Sequence, residues 1–325
     1  MLKRLGLITA LAACDVSAPV QPVPVRDVPG LPFADLTEEQ QRVFDLGDEL
    51  FELALRPYDG LGPLYTRSAC SHCHEGDARG PGAVTKMVLV EADGVTPQAD
   101  QSALAYGHTA RPLMEAGAVT PIAPPQGLSG LKLSYRVGPS VLGRGYLEAI
   151  SDADLRAEVA AQAAAGKVSG RVNEVSYASE PNEDTRFHRH QKGETVVGRF
   201  GLKARIATLD DFTADALLAD MGITSPLRPT ELPNPDGLTD DLKPGVDVTF
   251  QSVNARADYL RFVTIPLRKA HAAGQAAFEK AQCQSCHKSD WVTRADWPIP
   301  QLAGVAAPIY SDLLLHDMGV ELADP

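Results

Sequence analysis

Two short segments of the sequence carry the same pattern of cysteine and histidine. Cys70-Ser71-His72-Cys73-His74 and Cys283-Gln284-Ser285-Cys286-His287 both read C-x-x-C-H. Two thiols at this spacing can form thioether bonds to the two vinyl groups of one porphyrin, and the adjacent histidine then ligates the iron. The pattern therefore predicts two covalently bound haem c groups. The thioether cysteines and proximal iron ligands are, in chain order, Cys70, Cys73, His74, Cys283, Cys286 and His287.

Three other interpretations of these cysteines fit the sequence less well. A disulfide framework needs no histidine after each pair. A zinc site made of C-x-x-C knuckles normally closes over a much shorter loop than the one from Cys73 to Cys283. A thioredoxin-type C-x-x-C follows a strand in a βαβ unit, and no such pattern precedes Cys70.

The fifth cysteine, Cys14, directly follows a predicted N-terminal targeting signal. Lys3 and Arg4 supply positive charge, a short apolar run follows, and Leu11-Ala12-Ala13-Cys14 resembles a bacterial lipobox. We therefore expect residues 1–13 to be a lipoprotein signal peptide and Cys14 to carry lipid. This predicts a chain anchored on the periplasmic side of a bacterial membrane, where covalent haem attachment also takes place. An ordinary signal peptide with a passive cysteine is the alternative.

The composition is that of an ordinary globular protein, with 44% hydrophobic and 22% charged residues in 325. The formal net charge of −12 disfavours nucleic acid as a partner, and membrane contact is expected only through the lipid anchor. The same charge favours a small basic redox protein, such as a basic cytochrome. A membrane electron donor is the alternative partner.

The segments around the two motifs predict the elements that position the haems. Residues 14–33 are rich in proline and predict an extended tether. A second proline-rich segment, 226–244, predicts a linker between an N-terminal haem domain, 34–225, and a second haem domain, 245–325. The expected fold class is mainly α with irregular loops and minor β, in two cytochrome c-like haem domains.

Caps and apolar spacing predict the individual helices. They are expected from Thr37 to before Pro57, from Ser151 to Ala165, from Leu209 to Met221, and over 246–262 and 268–282. A β-hairpin is expected only near 86–90.

A glycine four residues before a phenylalanine lies on the helix that leads to each motif. The pairs are Gly47 with Phe51 and Gly274 with Phe278. This arrangement resembles the first helix of class I cytochromes c, where the glycine admits another helix and the aromatic ring packs near the haem edge. Ordinary helix core is the alternative for both pairs.

Seven further segments are similar to the bacterial di-haem oxidoreductase family, whose members are described as peroxidase-like or thiol oxidoreductase-like. They are Leu61–Tyr65, Tyr106–Gly107, Gly143–Ile150, Ser169–Arg171, Gly198–Ala204, Asp220–Thr224 and Tyr310–Gly319. The resemblance runs from about residue 36 to the end. It implies a distant relationship to di-haem cytochrome c peroxidases and MauG. Family members continue beyond the last segment, so it also implies a chain truncated at its C-terminus.

The resemblance implies an exported, peroxidase-like di-haem oxidoreductase that moves electrons between a redox partner and a peroxide or another substrate. A non-enzymatic periplasmic electron-transfer cytochrome is the alternative. No calcium is expected, because the segment Ala164–Lys167 lacks the carboxylates that many relatives carry before Ser169.

Five residues outside the two motifs are candidates for the haem surroundings. His108 is a candidate distal acid, base or ligand at the first haem, and a solvent-facing loop histidine is the alternative. Met318 and His316 are candidate distal ligands at the second haem, with core packing as the alternative for Met318. Arg199 and Lys203 are candidates to neutralise haem propionates, or else they lie on a solvated helix face.

Overall fold

The computed structural model describes residues 30–77, 80–239, 242–266 and 269–323. Cys14, the expected signal peptide and most of the expected tether lie outside these ranges. The described helices are α1 Glu38–Glu52, α2 Arg144–Ala149, α3 Asp152–Ala165, α4 Leu209–Met221, α5 Phe250–Phe262 and α6 Ala272–Lys280. None of these helices combines the length and apolar character needed to cross a bilayer.

Short strands are spread through the same ranges and pair as four two-stranded antiparallel sheets. The pairs are β1 Leu64–Tyr65 with β3 Leu113–Met114, β2 Ala83–Leu89 with β4 Leu131–Val137, β5 Glu174–Ser176 with β6 Thr195–Val197, and β7 Trp291–Val292 with β8 Ala306–Ala307. The fold is therefore a mixture of α and β, and the expectation of a mainly α protein is wrong in this respect. The expected strand near 86–90 exists. It pairs with the distant β4, and Val90 at its end also forms an antiparallel bridge to Pro97 across a short local turn.

Local capping signals account for the helix boundaries. Thr37 and Gln40 form the predicted capping box at the start of α1. The Ser151 hydroxyl caps α3, which ends at Gly166 in the left-handed conformation, as expected. Helix α4 has the predicted bounds, whereas α5 and α6 begin later than expected because Thr249 and His271 serve as their N-caps.

Helix α5 packs against α1, although the two helices belong to different predicted haem domains. Phe44 and Phe51 of α1 lie 5.0 Å and 5.2 Å from Tyr259 of α5, measured between ring centroids. Gly47 lies at the crossing, where a Cβ atom would overlap the Ala255 carbonyl oxygen. One hydrophobic core thus contains residues from both sides of the predicted linker. The division into two haem domains stays a prediction.

A buried ionic network joins three helices around Arg261 of α5. The Arg261 side chain is 1% exposed, and its Nε atom lies 2.6 Å from Glu148 Oε2 on α2. Its other nitrogens lie 2.9 Å from Asp258 and 3.7 Å from Asp210 on α4. Glu148 also accepts a hydrogen bond of 2.8 Å from the Leu209 amide at the start of α4. The network fixes α2 and α4 on α5.

Gly47→Ala is expected to lower the free energy of unfolding by about 1–3 kcal/mol, because the methyl group overlaps the backbone of α5. Urea unfolding of the haem-loaded protein, followed by circular dichroism, measures this change. Gly274→Ala is the matched control, since the added carbon there meets only the exposed His271 ring, and its effect should stay within about 1 kcal/mol. Equal losses in the two variants would contradict close packing at Gly47.

Arg261→Met is expected to destabilise the fold by about 3–5 kcal/mol, because it leaves buried carboxylates without their cation. The same denaturation experiment measures the loss. Arg156→Met is the control, since the Arg156–Glu174 pair is exposed and should contribute less than about 1 kcal/mol. A similar loss in both variants would argue against a structural role for the network.

Candidate haem sites

Both C-x-x-C-H segments form the same backbone turn. The His74 amide donates to the Cys70 carbonyl at 3.0 Å, and the His287 amide donates to the Cys283 carbonyl at 2.9 Å. All four described cysteines are free of disulfides, which argues against a disulfide framework. Each turn places two thiols and one imidazole next to one another, as thioether attachment and iron ligation require.

A distant backbone carbonyl orients each histidine ring. His74 Nδ1 lies 2.7 Å from the Pro139 carbonyl oxygen, and His287 Nδ1 lies 3.0 Å from that of Tyr310. A carbonyl can only accept, so Nδ1 carries the proton and Nε2 is left to bind iron. Burial lowers the pKa of His74, which also favours the neutral, ligating ring.

The predicted aromatic ring lies near each histidine. The Phe51 and His74 ring centroids are 6.1 Å apart, and those of Phe278 and His287 are 6.4 Å apart. The two units differ in their surroundings. Helix α1 packs on α5, whereas α6 has no buried residue, and His287 is exposed while His74 is half-buried.

A mostly apolar cleft enclosing about 850 Å³ of empty space, including its open mouth, lies beside the first motif. Helices α1, α4 and α5 and the loop before α2 form its walls. Among its lining residues are Phe51, Cys70, Cys73, His74, Val141, Arg144, Phe200, Leu209, Phe212, Thr213, Leu217, Asp220, Met221, Arg256 and Leu260. An apolar lining with the proximal histidine at its wall suits the face of a porphyrin.

Two glycines keep the space around this motif free. A Cβ at Gly82 would overlap the side chain of Cys73. A Cβ at Gly138 would come within 3.1 Å of His74 Cε1. These glycines flank the paired strands β2 and β4, so the ends of this sheet lie directly against the motif.

Two arginines in the cleft, the buried Arg256 and the half-buried Arg144, also fit a haem. Arg144 Nε donates to the Ser140 carbonyl at 2.7 Å, and Arg256 Nε donates to the Leu50 carbonyl at 3.2 Å. Neither guanidinium forms an ion pair with a carboxylate in the described part of the chain. Burial lowers the pKa of both, that of Arg144 to about 10. Haem propionates are anions that would compensate these cations.

The arginine and lysine singled out in the sequence lie elsewhere. Arg199 donates to the Ile150 carbonyl at 2.9 Å and pairs with Asp152. It borders a second cavity, between α2 and the segment 308–315. The Lys203 carbonyl accepts a hydrogen bond from Asn173. Neither side chain lines the first cleft, and their role at propionates stays a prediction.

The predicted distal residues also occupy separate places. His108 does not line the first cleft and lies in a groove beside β2, where its Nδ1 is 3.1 Å from a β2 carbonyl. His316 Nε2 lies 2.7 Å from Asp312, close to the sulfur of Cys286. Met318 is 63% exposed. Their distal roles stay predictions.

Helix α4 instead supplies the polar atoms of the first cleft. Thr213 Oγ1 and Asp220 Oδ1 are buried and have no hydrogen-bond partner. Burial raises the pKa of Asp220, whose nearest cation, Lys86 Nζ, is 3.7 Å away. Met221, the next residue, also lines the cleft. Thr213, Leu217 and Asp220 recur at helical spacing, so the sequence did contain a signal for this face.

A model of the family described as "Di-haem oxidoreductase, putative peroxidase" matches residues 128–325, more than half of the chain. The match includes the second C-x-x-C-H motif and the cleft walls formed by α4 and α5. The first motif precedes it. No curated protein and no solved structure matches the chain.

Proposed function

The chain belongs to the di-haem oxidoreductase family, and from this premise we propose that it is an exported, peroxidase-like cytochrome with two covalently attached haems. Electrons from a redox partner would reach a peroxide in the cleft beside His74. The observation that carries this proposal is the buried, unbonded carboxylate oxygen of Asp220, which lies in the same cleft as a histidine oriented for iron.

Peroxide reduction consumes two electrons and two protons and yields two waters. A bound haem would supply the site at which peroxide binds and the electrons that reduce it. The chain must supply the protons, and Asp220 is placed to do so because burial favours its protonated form. The carboxyl group could donate its proton to a peroxide oxygen and recover one by way of Lys86, whose Nζ atom lies 3.7 Å from Asp220 Oδ1.

The remaining cleft residues hold the cofactor and exclude water. Arg144 and Arg256 would pair with propionates and so fix the ring orientation. Phe51, Phe212 and Leu217 present apolar surface to the ring. A dry surrounding strengthens the interaction of the Asp220 proton with the reacting oxygen.

The second motif suits electron entry. His287 is exposed and α6 has no buried residue, so a haem attached there would present an edge to a docking partner. The net charge of −12 favours a small basic redox protein, and a membrane electron donor is the other candidate. Lipid on Cys14 would keep the chain on the periplasmic side of the membrane, near either donor.

One observation favours the alternative, a non-enzymatic electron-transfer cytochrome. The Met221 thioether is buried and borders the first cleft. If its sulfur occupied the sixth position of the iron, peroxide would have no site to bind.

Visible spectroscopy of the haem-loaded protein separates the two functions. We expect two haems per chain and, after partial reduction, a high-spin haem whose spectrum changes on addition of hydrogen peroxide. Met221→Leu should leave this response in place. Two low-spin haems that ignore peroxide would overturn the enzyme proposal, and loss of a thioether–iron band in Met221→Leu would establish the electron-transfer function.

Asp220→Asn is expected to slow peroxide reduction by about 10²-fold or more, because the amide keeps the shape but has no acidic proton to transfer. Steady-state turnover with a reduced donor measures the rate, and haem content and spectrum should be unchanged. The exposed Asp296→Asn is the control and should retain full activity. Wild-type rates in Asp220→Asn would exclude this carboxyl group as the proton donor.

A further inference from the structure

A half-open groove lies on the other side of α4 from the first cleft. It contains about 1100 Å³ of space, including its mouth, between β2 and α4. Asp215 and Ala219 of α4 face this groove, whereas Thr213 and Asp220 face the cleft. The groove therefore shares one wall with the first haem site but is a separate space.

Arg111 gives the groove a buried positive charge. The residue is 2% exposed, and its guanidinium donates to the carbonyls of Tyr106, at 3.3 Å, and Pro233, at 3.0 Å. It forms no ion pair with any carboxylate among the residues that the structure describes. Burial lowers the pKa of Arg111, and the more distant Asp220 and Glu231 do not offset this effect.

Lys86 supplies a second cation at the inner end of the groove. Its Nζ atom donates to Thr109 Oγ1 at 2.7 Å and lies 3.7 Å from Asp220. The carboxylate that does line the groove, Asp215, is already paired with Arg205 and also lies 3.6 Å from Arg228. The groove thus keeps a surplus of positive charge in a chain whose net charge is −12.

We propose that this groove is a binding site for a small oxyanion, a carboxylate or a phosphate group, held by Arg111 and Lys86. Guanidinium and ammonium groups each provide several donors for such a group, and both residues line the groove. The Thr109 hydroxyl adds another donor or acceptor in the same space. The chain carries a net charge of −12, which disfavours an extended polyanion such as nucleic acid.

The position of Lys86 connects this site to the haem cleft. An anion bound to Lys86 adds negative charge on the far side of the Lys86–Asp220 contact. Occupancy of the groove should therefore change the environment of Asp220 and, through it, the rate of the proposed peroxide reduction. This coupling rests on the proposed role of Asp220, whereas the binding itself does not.

Isothermal titration calorimetry of the haem-loaded protein tests the site. Inorganic phosphate and succinate are titrated separately at constant ionic strength. We expect saturable binding of one ligand per chain, weakened about tenfold in Arg111→Gln and in Lys86→Gln. Lys192→Gln is the matched control, because it removes one surface cation outside the groove and should leave binding unchanged.

Binding of phosphate alone assigns the site to phosphate groups, and binding of succinate alone assigns it to carboxylates. Absence of saturable binding of both probes to the wild-type protein overturns the proposal, as does equal weakening in Lys192→Gln. If Arg111→Gln does not fold, Lys86→Gln decides, because the Lys86 side chain is partly exposed.

Discussion

The ionic network around Arg261 is the interaction on which the arrangement of the helices depends. It brings carboxylates from α2, α4 and α5 to one buried guanidinium, which also lies 3.6 Å above the Phe187 ring. Burial opposes charge on Asp210, but His188 and Arg261 outweigh it and hold the pKa of that carboxyl group well below its usual range. Buried pairs of this kind define geometry more than they add stability. Here the defined geometry is that of α4.

The position of helix α4 determines the shape of two sites. One face carries the polar atoms of the haem cleft, and the opposite face closes the cationic groove. The two faces meet at the contact between Lys86 and Asp220, which lies at the C-terminal end of the helix. The N-terminal end is held by the bond from the Leu209 amide to Glu148. A displacement of α4 would therefore alter both sites together.

The sequence predicts the features that are encoded locally. The two motifs, the capping box at Thr37 and the bounds of α4 all follow from residues within a few positions of one another. The carbonyls of Pro139 and Tyr310 could not be predicted, because any residue can supply a carbonyl and these lie 65 and 23 residues from their histidines. His188 shows the same limit. Its charged neighbours in sequence suggest the surface, yet its side chain is only 6% exposed and contacts Asp210.

The two motifs share one backbone turn but lie in different surroundings, and this difference predicts the direction of electron transfer. A haem held by His74 would lie in an apolar cleft with two arginines placed to pair with its propionates, whereas one held by His287 would lie near solvent. Low polarity disfavours the ferric iron, which carries one more positive charge than the ferrous iron. The buried site should therefore have the higher reduction potential. Electrons entering at the exposed motif would flow towards the cleft that contains Asp220, where the proposed chemistry consumes them.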